Sequence, residues 1–166
     1  MKPWEHMPLH KKAMEIKQLV DSIAEILLEA EMDYETVEEG EMIDNCFNFM
    51  MDNSLIIPAK IAEASSEDTV YDIKMENATL IRKAAIEIIT DTYTLENFGF
   101  KDLEYLDVLR DELDTFRVLF AEWVNTFDYW NYHIDRWGLF NPPGINYDDI
   151  DPDEDLPFNP DDFTDN

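Results

Sequence analysis

Histidines and carboxylates are the side chains of this chain whose spacing could bind a metal ion. His6 and His10 are four residues apart, as metal-ligand pairs can be, but Pro8 lies between them. A solvated pair near the N-terminus is therefore favoured over a metal site. Di-iron helical bundles need a glutamate three residues before a histidine on two helices, and none precedes His6, His10 or His133 at that spacing. The histidines thus argue against that class of protein.

Alternating aspartates near the C-terminus resemble the beginning of a calcium-binding loop. The spaced residues are Asp149, Asp151, Asp153 and Asp155. The sixth position of such a loop is Glu154 instead of glycine, and the twelfth is Pro160 instead of glutamate. An EF-hand is thereby excluded, and weak calcium binding by this acidic stretch stays open as an alternative.

The single cysteine, Cys46, lies on the apolar side of a predicted helix and is interpreted as an unreactive core thiol. One cysteine cannot form an internal disulfide, which is typical of a reducing cytosol. The chain contains no glycine-rich phosphate loop and no Gly-x-Ser-x-Gly motif. We therefore expect no enzymatic activity, no catalytic residue, no cofactor and no bound metal.

The charge of the chain restricts its partners. It has 12 basic and 39 acidic side chains, so its formal net charge is -27. Such a charge repels phosphate backbones and anionic lipids, and nucleic acid is an unlikely partner over a broad surface. No stretch of about 18 uncharged apolar residues predicts a membrane span, and the N-terminus does not resemble a signal peptide. We expect a cytoplasmic protein.

Apolar residues recur at steps of three and four along most of the chain, and glycine is scarce, with only four. This pattern predicts an all-α protein, an up-down-up-down four-helix bundle with an extended acidic C-terminal tail. We predict a bundle over residues 1–140, with helices at about 8–31, 36–64, 67–97 and 101–137, and a proline-containing tail over 141–166. Thr36 with Glu39, and Ser66, are the predicted N-caps.

The longest apolar stripe belongs to predicted helix 4 and becomes aromatic toward its end. That helix is predicted to outrun helix 1, so its last turns would project beyond the bundle. Large exposed aromatic patches mark partner surfaces. The alternative is that the tail or the N-terminal residues with Trp4 cover this end. The predicted oligomer or partner surface consists of Trp123, Phe127, Trp130, Ile134 and Trp137.

The predicted tail leaves two interpretations open. Residues 145–166 contain nine acids and no base, which is typical of a disordered solvating end. They also contain apolar side chains spaced among prolines, which favour an extended strap that docks on its own or a neighbouring subunit. These side chains are Ile145, Tyr147, Ile150, Leu156, Phe158 and Phe163.

Residues 57–64, Ile-Pro-Ala-Lys-Ile-Ala-Glu-Ala, resemble the IPANIAEG signature of a bacterial four-helix-bundle family. The family comprises proteins encoded by intervening sequences in 23S rRNA genes and the accessory variability proteins of diversity-generating retroelements. Residues 9–15, 65–67, 81–86 and 98–100 resemble family segments in the same order. The signature positions, interpreted as structural, are Ile57, Pro58, Ala59, Lys60, Ile61, Ala62 and Glu63.

The resemblance implies a bundle that associates as a ring, typically a homopentamer, without enzymatic activity. It also implies a link to nucleic acid through basic surfaces. This chain departs from the pattern there, because Met51 and Asp52 occupy the places of a frequent basic pair. Lys60 replaces the family asparagine and Ala64 the family glycine.

These observations together predict a non-enzymatic helical assembly module. Its partners would be copies of itself and a basic protein that meets its acidic surface. The alternative is a nucleic-acid-associated accessory protein that uses a local basic patch. That patch would consist of Lys11, Lys12, Lys17, Lys60, Arg82 and Lys83.

Overall fold

The computed structural model describes residues 2–29 and 34–151. A short 3-10 helix (Pro3–His6) precedes four α-helices in this part of the chain. The helices are α1 (Pro8–Glu29), α2 (Val37–Ala64), α3 (Tyr71–Asn97) and α4 (Leu103–Val124). The described residues contain no β-strand, and none of their helices has the length and apolar character to cross a membrane. The all-α prediction is confirmed, and the predicted tail beyond residue 151 lies outside the described residues.

The four helices pack in a closed order around one core. Helix α1 contacts α2 and α4, and α3 contacts the same two helices. Because short connections join α2 to α3 and α3 to α4, these neighbours run in opposite directions, as the predicted bundle requires. The contact between α2 and α3 is the most extensive, and the contact between α3 and α4 is the least. The α3–α4 side of the bundle is therefore its most open side.

Each helix contributes one apolar stripe to the core, at the spacing that the sequence predicts. Full burial of one such side chain contributes about 1.5–3 kcal/mol. The core side chains with at most 1% of their surface exposed include Ile16, Val20, Ile23, Ile43, Met50, Ile57, Ile61, Ile81, Ile88, Leu95, Leu106, Leu109 and Leu113.

Several predicted helix ends agree with the structure. Thr36 caps α2, and its hydroxyl accepts a hydrogen bond from the Glu39 N–H at 3.2 Å. The Glu39 carboxylate accepts in turn from the N–H of Glu35 at 3.0 Å. Helix α2 continues through Pro58, as predicted. Helix α3 ends before Gly99, which has a φ of 95° and lies in the left-handed region that favours glycine.

The predicted start of helix 3 is wrong by one turn. Helix α3 begins at Tyr71 with Val70 as its N-cap, and Ser66 does not cap it. The Ser66 carbonyl instead accepts a hydrogen bond from the N–H of Thr69 at 3.1 Å, which closes a separate turn. The Thr69 hydroxyl also bonds back to the Glu63 carbonyl, so residues 66–69 belong to the link between the helices.

The predicted end of helix 4 is also wrong, since α4 ends at Val124. The Thr126 N–H bonds to the Trp123 carbonyl at 3.0 Å, and the Thr126 hydroxyl donates to the same oxygen at 2.6 Å. Asparagine and threonine are weak helix formers that favour such local bonds. Because α1 and α4 both have 22 residues, the predicted projection of helix 4 beyond helix 1 is wrong as well.

A pair of neighbouring substitutions tests the core. Ile81 is fully buried on α3, whereas Leu80 on the same helix is 40% exposed. Ile81→Ala should lower the free energy of unfolding by about 2–5 kcal/mol, because it leaves a cavity between packed helices. Leu80→Ala should lower it by less than about 1 kcal/mol. Urea unfolding followed by circular dichroism measures both, and equal losses would contradict this core.

Candidate functional site

The chain that follows α4, residues 125–151, is irregular and begins by packing on the bundle. We call it segment 125–151. Phe127 is 5% exposed and packs against Tyr71 and Ala78 of α3. Its ring meets the Trp123 ring edge-on, with centroids 4.8 Å apart, and the Lys74 ammonium lies 5.5 Å from its centroid. Burial of this aromatic ring therefore fixes the first turn of the segment against α3.

A backbone hydrogen bond joins segment 125–151 to the beginning of α3. The carbonyl of Asn131 accepts from the Tyr71 N–H at 2.8 Å, and the Asn131 side-chain amide donates to the Thr69 carbonyl at 3.5 Å. The first N–H groups of a helix have no partner within the helix, so the segment supplies one of them. The Tyr129 and Tyr71 rings meet edge-on beside this bond, at 5.4 Å.

Two tryptophans of the segment occupy the same local structure. The Asp128 carboxylate accepts a hydrogen bond from the Trp130 N–H at 2.9 Å, and the Asp135 carboxylate accepts from the Trp137 N–H at 3.0 Å. Each is an Asx turn, in which an aspartate bonds to the backbone two residues on. Trp130 is 91% exposed and Trp137 is 96% exposed. The fold therefore holds both tryptophan backbones in turns and leaves their side chains uncovered.

Asp135 organises the second turn. Its Oδ2 accepts hydrogen bonds from the N–H groups of Leu139 at 2.9 Å and Phe140 at 2.8 Å. Asn141 completes the loop, since its side chain accepts from the Asp135 N–H at 2.7 Å and donates to the Asp135 carbonyl at 3.0 Å. The Phe140 N–H above all, with those of Trp137 and Leu139, lowers the pKa of the Asp135 carboxyl below its ordinary value of 3.8. These donors favour the charged carboxylate.

Arg136 connects the last described residues to this turn by hydrogen bonds. Its guanidinium donates to the carbonyls of Tyr147 at 3.0 Å and Asp149 at 2.6 Å. Tyr147 also lies against Gly138, which has a φ of 74°, and a Cβ there would lie 3.4 Å from the Tyr147 Cβ. Segment 125–151 also contains several exposed apolar side chains. These are Tyr129, Trp130, Trp137, Leu139, Tyr147 and Ile150.

The structure divides the five residues of the predicted partner surface into two groups. Phe127 is buried, and Trp123 and Ile134 are half-buried. Trp130 and Trp137 are exposed and lie in turns, not on a helix. The two tryptophans therefore remain the candidate contact residues, while the other three are partly or fully covered by the chain itself.

The signature-like residues lie inside α2 and differ in burial. Ile57 and Ile61 are fully buried in the core, as is Ala64, which follows the seven signature positions. Pro58, Lys60 and Ala62 are half-buried, whereas Ala59 and Glu63 are exposed. Lys60 forms an ion pair with Glu63 at 3.0 Å.

Most members of the predicted basic patch are paired with carboxylates. Lys12 bonds to Glu15 at 2.6 Å and also to Glu112, which raises the pKa of Lys12. Three further members form ion pairs along their own helices, with distances of 2.8 Å, 3.0 Å and 3.8 Å: Lys17, Lys60 and Lys83. A phosphate backbone would have to compete with these carboxylates for four of the six cations.

The other residues considered for chemistry lie apart from one another. Cys46 is buried, and its thiol donates to the Asp91 carbonyl at 3.5 Å. Burial raises the pKa of the Cys46 thiol to about 12, with the Asp91 charge as a smaller cause. His6 lies in the 3-10 helix and His10 in α1. Within residues 2–29 and 34–151, no group of three His, Cys, Asp or Glu side chains is arranged to hold a metal ion.

Sequence reasoning missed the two aspartates that shape the turns. Asp128 and Asp135 each precede a tryptophan by two residues, and this repeat was available in the sequence. The seven-residue spacing between Trp130 and Trp137 suits a helix equally well, and it concealed the turns. The signal against a helix is the density of Asn, Asp and Thr over residues 125–135.

Comparisons with known proteins do not assign this chain to a family. No family model matches it, and neither a curated protein nor a solved structure does so.

The hydrogen bonds of Asp135 predict a pH-dependent turn. Since its pKa is lowered in the folded chain, the carboxylate stabilises the turn above pH 3.8 and loses this effect as the pH falls through the lowered pKa. Hydrogen exchange should show the Trp137, Leu139 and Phe140 amides protected at pH 5. Asp135→Asn, with one acceptor oxygen in place of two, should lower that protection severalfold. The exposed Asp148→Asn is the control, and equal effects of both changes would contradict the assignment.

The environment of Cys46 predicts slow thiol chemistry. With a pKa of about 12, on the order of one thiol in 10,000 is ionised at pH 8, and the thiolate is the reactive form. A thiol reagent at pH 8 should modify the folded chain at least a hundredfold more slowly than the urea-unfolded chain. Equal rates in the two states would show that Cys46 is accessible.

Proposed function

We propose that this protein is a non-enzymatic interaction module that forms a symmetric homo-oligomer through segment 125–151. The observation that carries the proposal is the exposure of Trp130 and Trp137, which is 91% and 96% in a part of the chain with many internal hydrogen bonds. Tryptophan is the side chain most enriched among residues that dominate binding energy. An exposed side chain of this size on a hydrogen-bonded turn is suited to contact another molecule.

The turns favour binding by reducing its entropic cost. An interface that orders a loop loses part of its interaction energy to that ordering. The backbone at Trp130 and Trp137 is held by Asp128 and Asp135 before any partner arrives. Only the tryptophan side-chain rotamers then remain to be ordered on contact.

Self-association is favoured over binding to nucleic acid. The net charge of -27 opposes phosphate backbones, and most cations of the basic patch are already paired with carboxylates. A ring, with the pentamer first among its sizes, follows only from the family resemblance and is part of the proposal. A basic protein is the second class of partner, because an acidic surface attracts it at long range.

The effect of salt on binding distinguishes the two classes of partner. Copies with a charge of -27 repel one another, so screening by salt should strengthen self-association. Binding to a basic protein should weaken under the same change.

Removal of both tryptophans tests the proposal. Trp130→Ala/Trp137→Ala should weaken self-association at least tenfold, since a central interface tryptophan contributes about 2 kcal/mol or more. Sedimentation equilibrium from micromolar to hundreds of micromolar chain measures the association constant. At concentrations where both chains are monomeric, the melting temperature should stay unchanged, because both side chains are exposed in the single chain.

Leu28→Ala is the matched control, since Leu28 is 87% exposed near the end of α1 and should leave the association constant unchanged. A chain that stays monomeric throughout this range, or an assembly that survives the loss of both tryptophans, would defeat the proposal.

A further inference from the structure

The open side of the bundle contains a groove between α3 and α4. It has a volume of about 700 Å³, within the range of sites that bind small molecules or peptide side chains. Its apolar lining includes side chains that the bundle does not cover, and Ile86 and Tyr93 are 45% and 51% exposed. The apolar residues that line it are Ala85, Ile86, Ile89, Tyr93, Leu113, Phe116, Phe120, Ala121 and Val124.

Basic side chains are concentrated at the groove, in contrast to the rest of the protein. Three of the four arginines of the chain line it, namely Arg82, Arg110 and Arg117, with Asp114 as the one carboxylate among the lining residues. Elsewhere acidic side chains outnumber basic ones strongly enough to give a net charge of -27. An acidic ligand is therefore repelled less at this groove than by most of the surface around it.

The three arginines differ in how firmly they are held. The Arg110 guanidinium bonds to Glu96 at 2.7 Å and Asp107 at 3.1 Å, and it lies 4.0 Å from the centroid of the Tyr93 ring. The charge of Arg110 is thus already paired with two carboxylates, and its side chain forms part of the groove wall. Arg117 shares an ion pair with Asp114 at 3.1 Å, and both side chains are at least 70% exposed.

Arg82 is exposed and forms no ion pair within residues 2–29 and 34–151. Arg82 and Arg117 are therefore the cations that can pair with an incoming carboxylate at little cost.

We propose that residues 152–166 of the same chain bind in this groove. They lie outside the described residues, and their sequence contains six acids, no base and three apolar side chains, Leu156, Phe158 and Phe163. The apolar side chains match the lining of the groove, and the acids match Arg82 and Arg117. Three prolines disfavour a helix over these residues, so an extended strand of chain is the form that would lie between the helices.

The length of this stretch suits the groove. Fifteen residues span at most about 50 Å when extended. The groove follows α4 from Arg110 to Val124, a rise of about 21 Å at 1.5 Å per residue. The extended stretch is therefore about twice as long as the groove.

The covalent link favours the chain's own C-terminus over other occupants. A short flexible connection gives a tethered segment an effective concentration of the order of millimolar. Weak contacts are then enough, and exposed ion pairs of the kind that Arg82 and Arg117 can form are individually weak. The binding proposed here uses α3 and α4, and it does not depend on the tryptophans of segment 125–151.

A spin label on the full chain tests the proposal. The label is attached to the cysteine introduced by Asn166→Cys and, in a second variant, by Asn159→Cys. The buried Cys46 stays unmodified. Paramagnetic broadening is measured on methyl groups by NMR. The Ile86 and Ile89 methyls in the groove should broaden, and those of Ile26 on α1 should not.

Charge reversal tests whether Arg82 and Arg117 bind residues 152–166. Arg82→Glu/Arg117→Glu should reduce the paramagnetic rates in the groove about tenfold, since two weak attractions become repulsions. Lys11→Glu/Lys17→Glu makes the same change in net charge on α1 and should leave the rates unchanged. Melting temperatures close to that of the parent chain show that each variant is folded.

Two outcomes would overturn the proposal. The first is an absence of broadening in the groove, or broadening that persists in the arginine variant. The second is tested in a mixture of two kinds of chain, one isotope-labelled without a spin label and the other spin-labelled without isotopes. Broadening of the groove methyls in this mixture would show that a neighbouring copy occupies the groove. Neither outcome decides whether the tryptophans mediate self-association, which the Trp130→Ala/Trp137→Ala measurement decides.

Discussion

The bundle depends on the burial of one apolar stripe from each of four helices whose outer faces are strongly acidic. Mutual repulsion at a net charge of -27 opposes any compact state, and no disulfide offsets it. The opposing contribution is a core of isoleucine, leucine and aromatic side chains, many of them completely excluded from solvent. Ion pairs on the surface are mostly between residues three or four apart and exposed, so they add little.

The same burial explains why α4 ends where it does. In a longer helix, Phe127 would continue the apolar stripe of α4. The turn at Thr126 places Phe127 on α3 instead, and the Asn131 carbonyl then reaches the free N–H of Tyr71. Two tryptophans are left outside, each on a turn made by an aspartate. The candidate interaction surface is thus a consequence of how the chain leaves its core.

The distribution of arginine gives the molecule a second distinct surface. Three of its four arginines border the seam between α3 and α4, which is the least closely packed pair of helices. Arg110 is fixed there by two carboxylates and an aromatic ring. The protein therefore has exposed tryptophans on two turns after α4 and an arginine-lined apolar groove between α3 and α4. The first suits contacts between molecules, and the second suits an acidic stretch of chain.

Local signals in the sequence determined the helices, because spacing and capping act between residues close in the chain. The apolar stripes, the Thr36 cap, the passage of α2 through Pro58 and the stop at Gly99 were all predictable from them. The sequence also identified Trp130 and Trp137 as candidates, but on a helix that does not form.

Tertiary structure alone decided where the chain after α4 packs, since the partner of Asn131 lies 60 residues away at Tyr71. It also decided that α3 and α4 leave a groove, because neither helix carries a local sign of how closely the other will approach. Contacts between distant residues determine both features, and no pattern within one helix encodes such contacts.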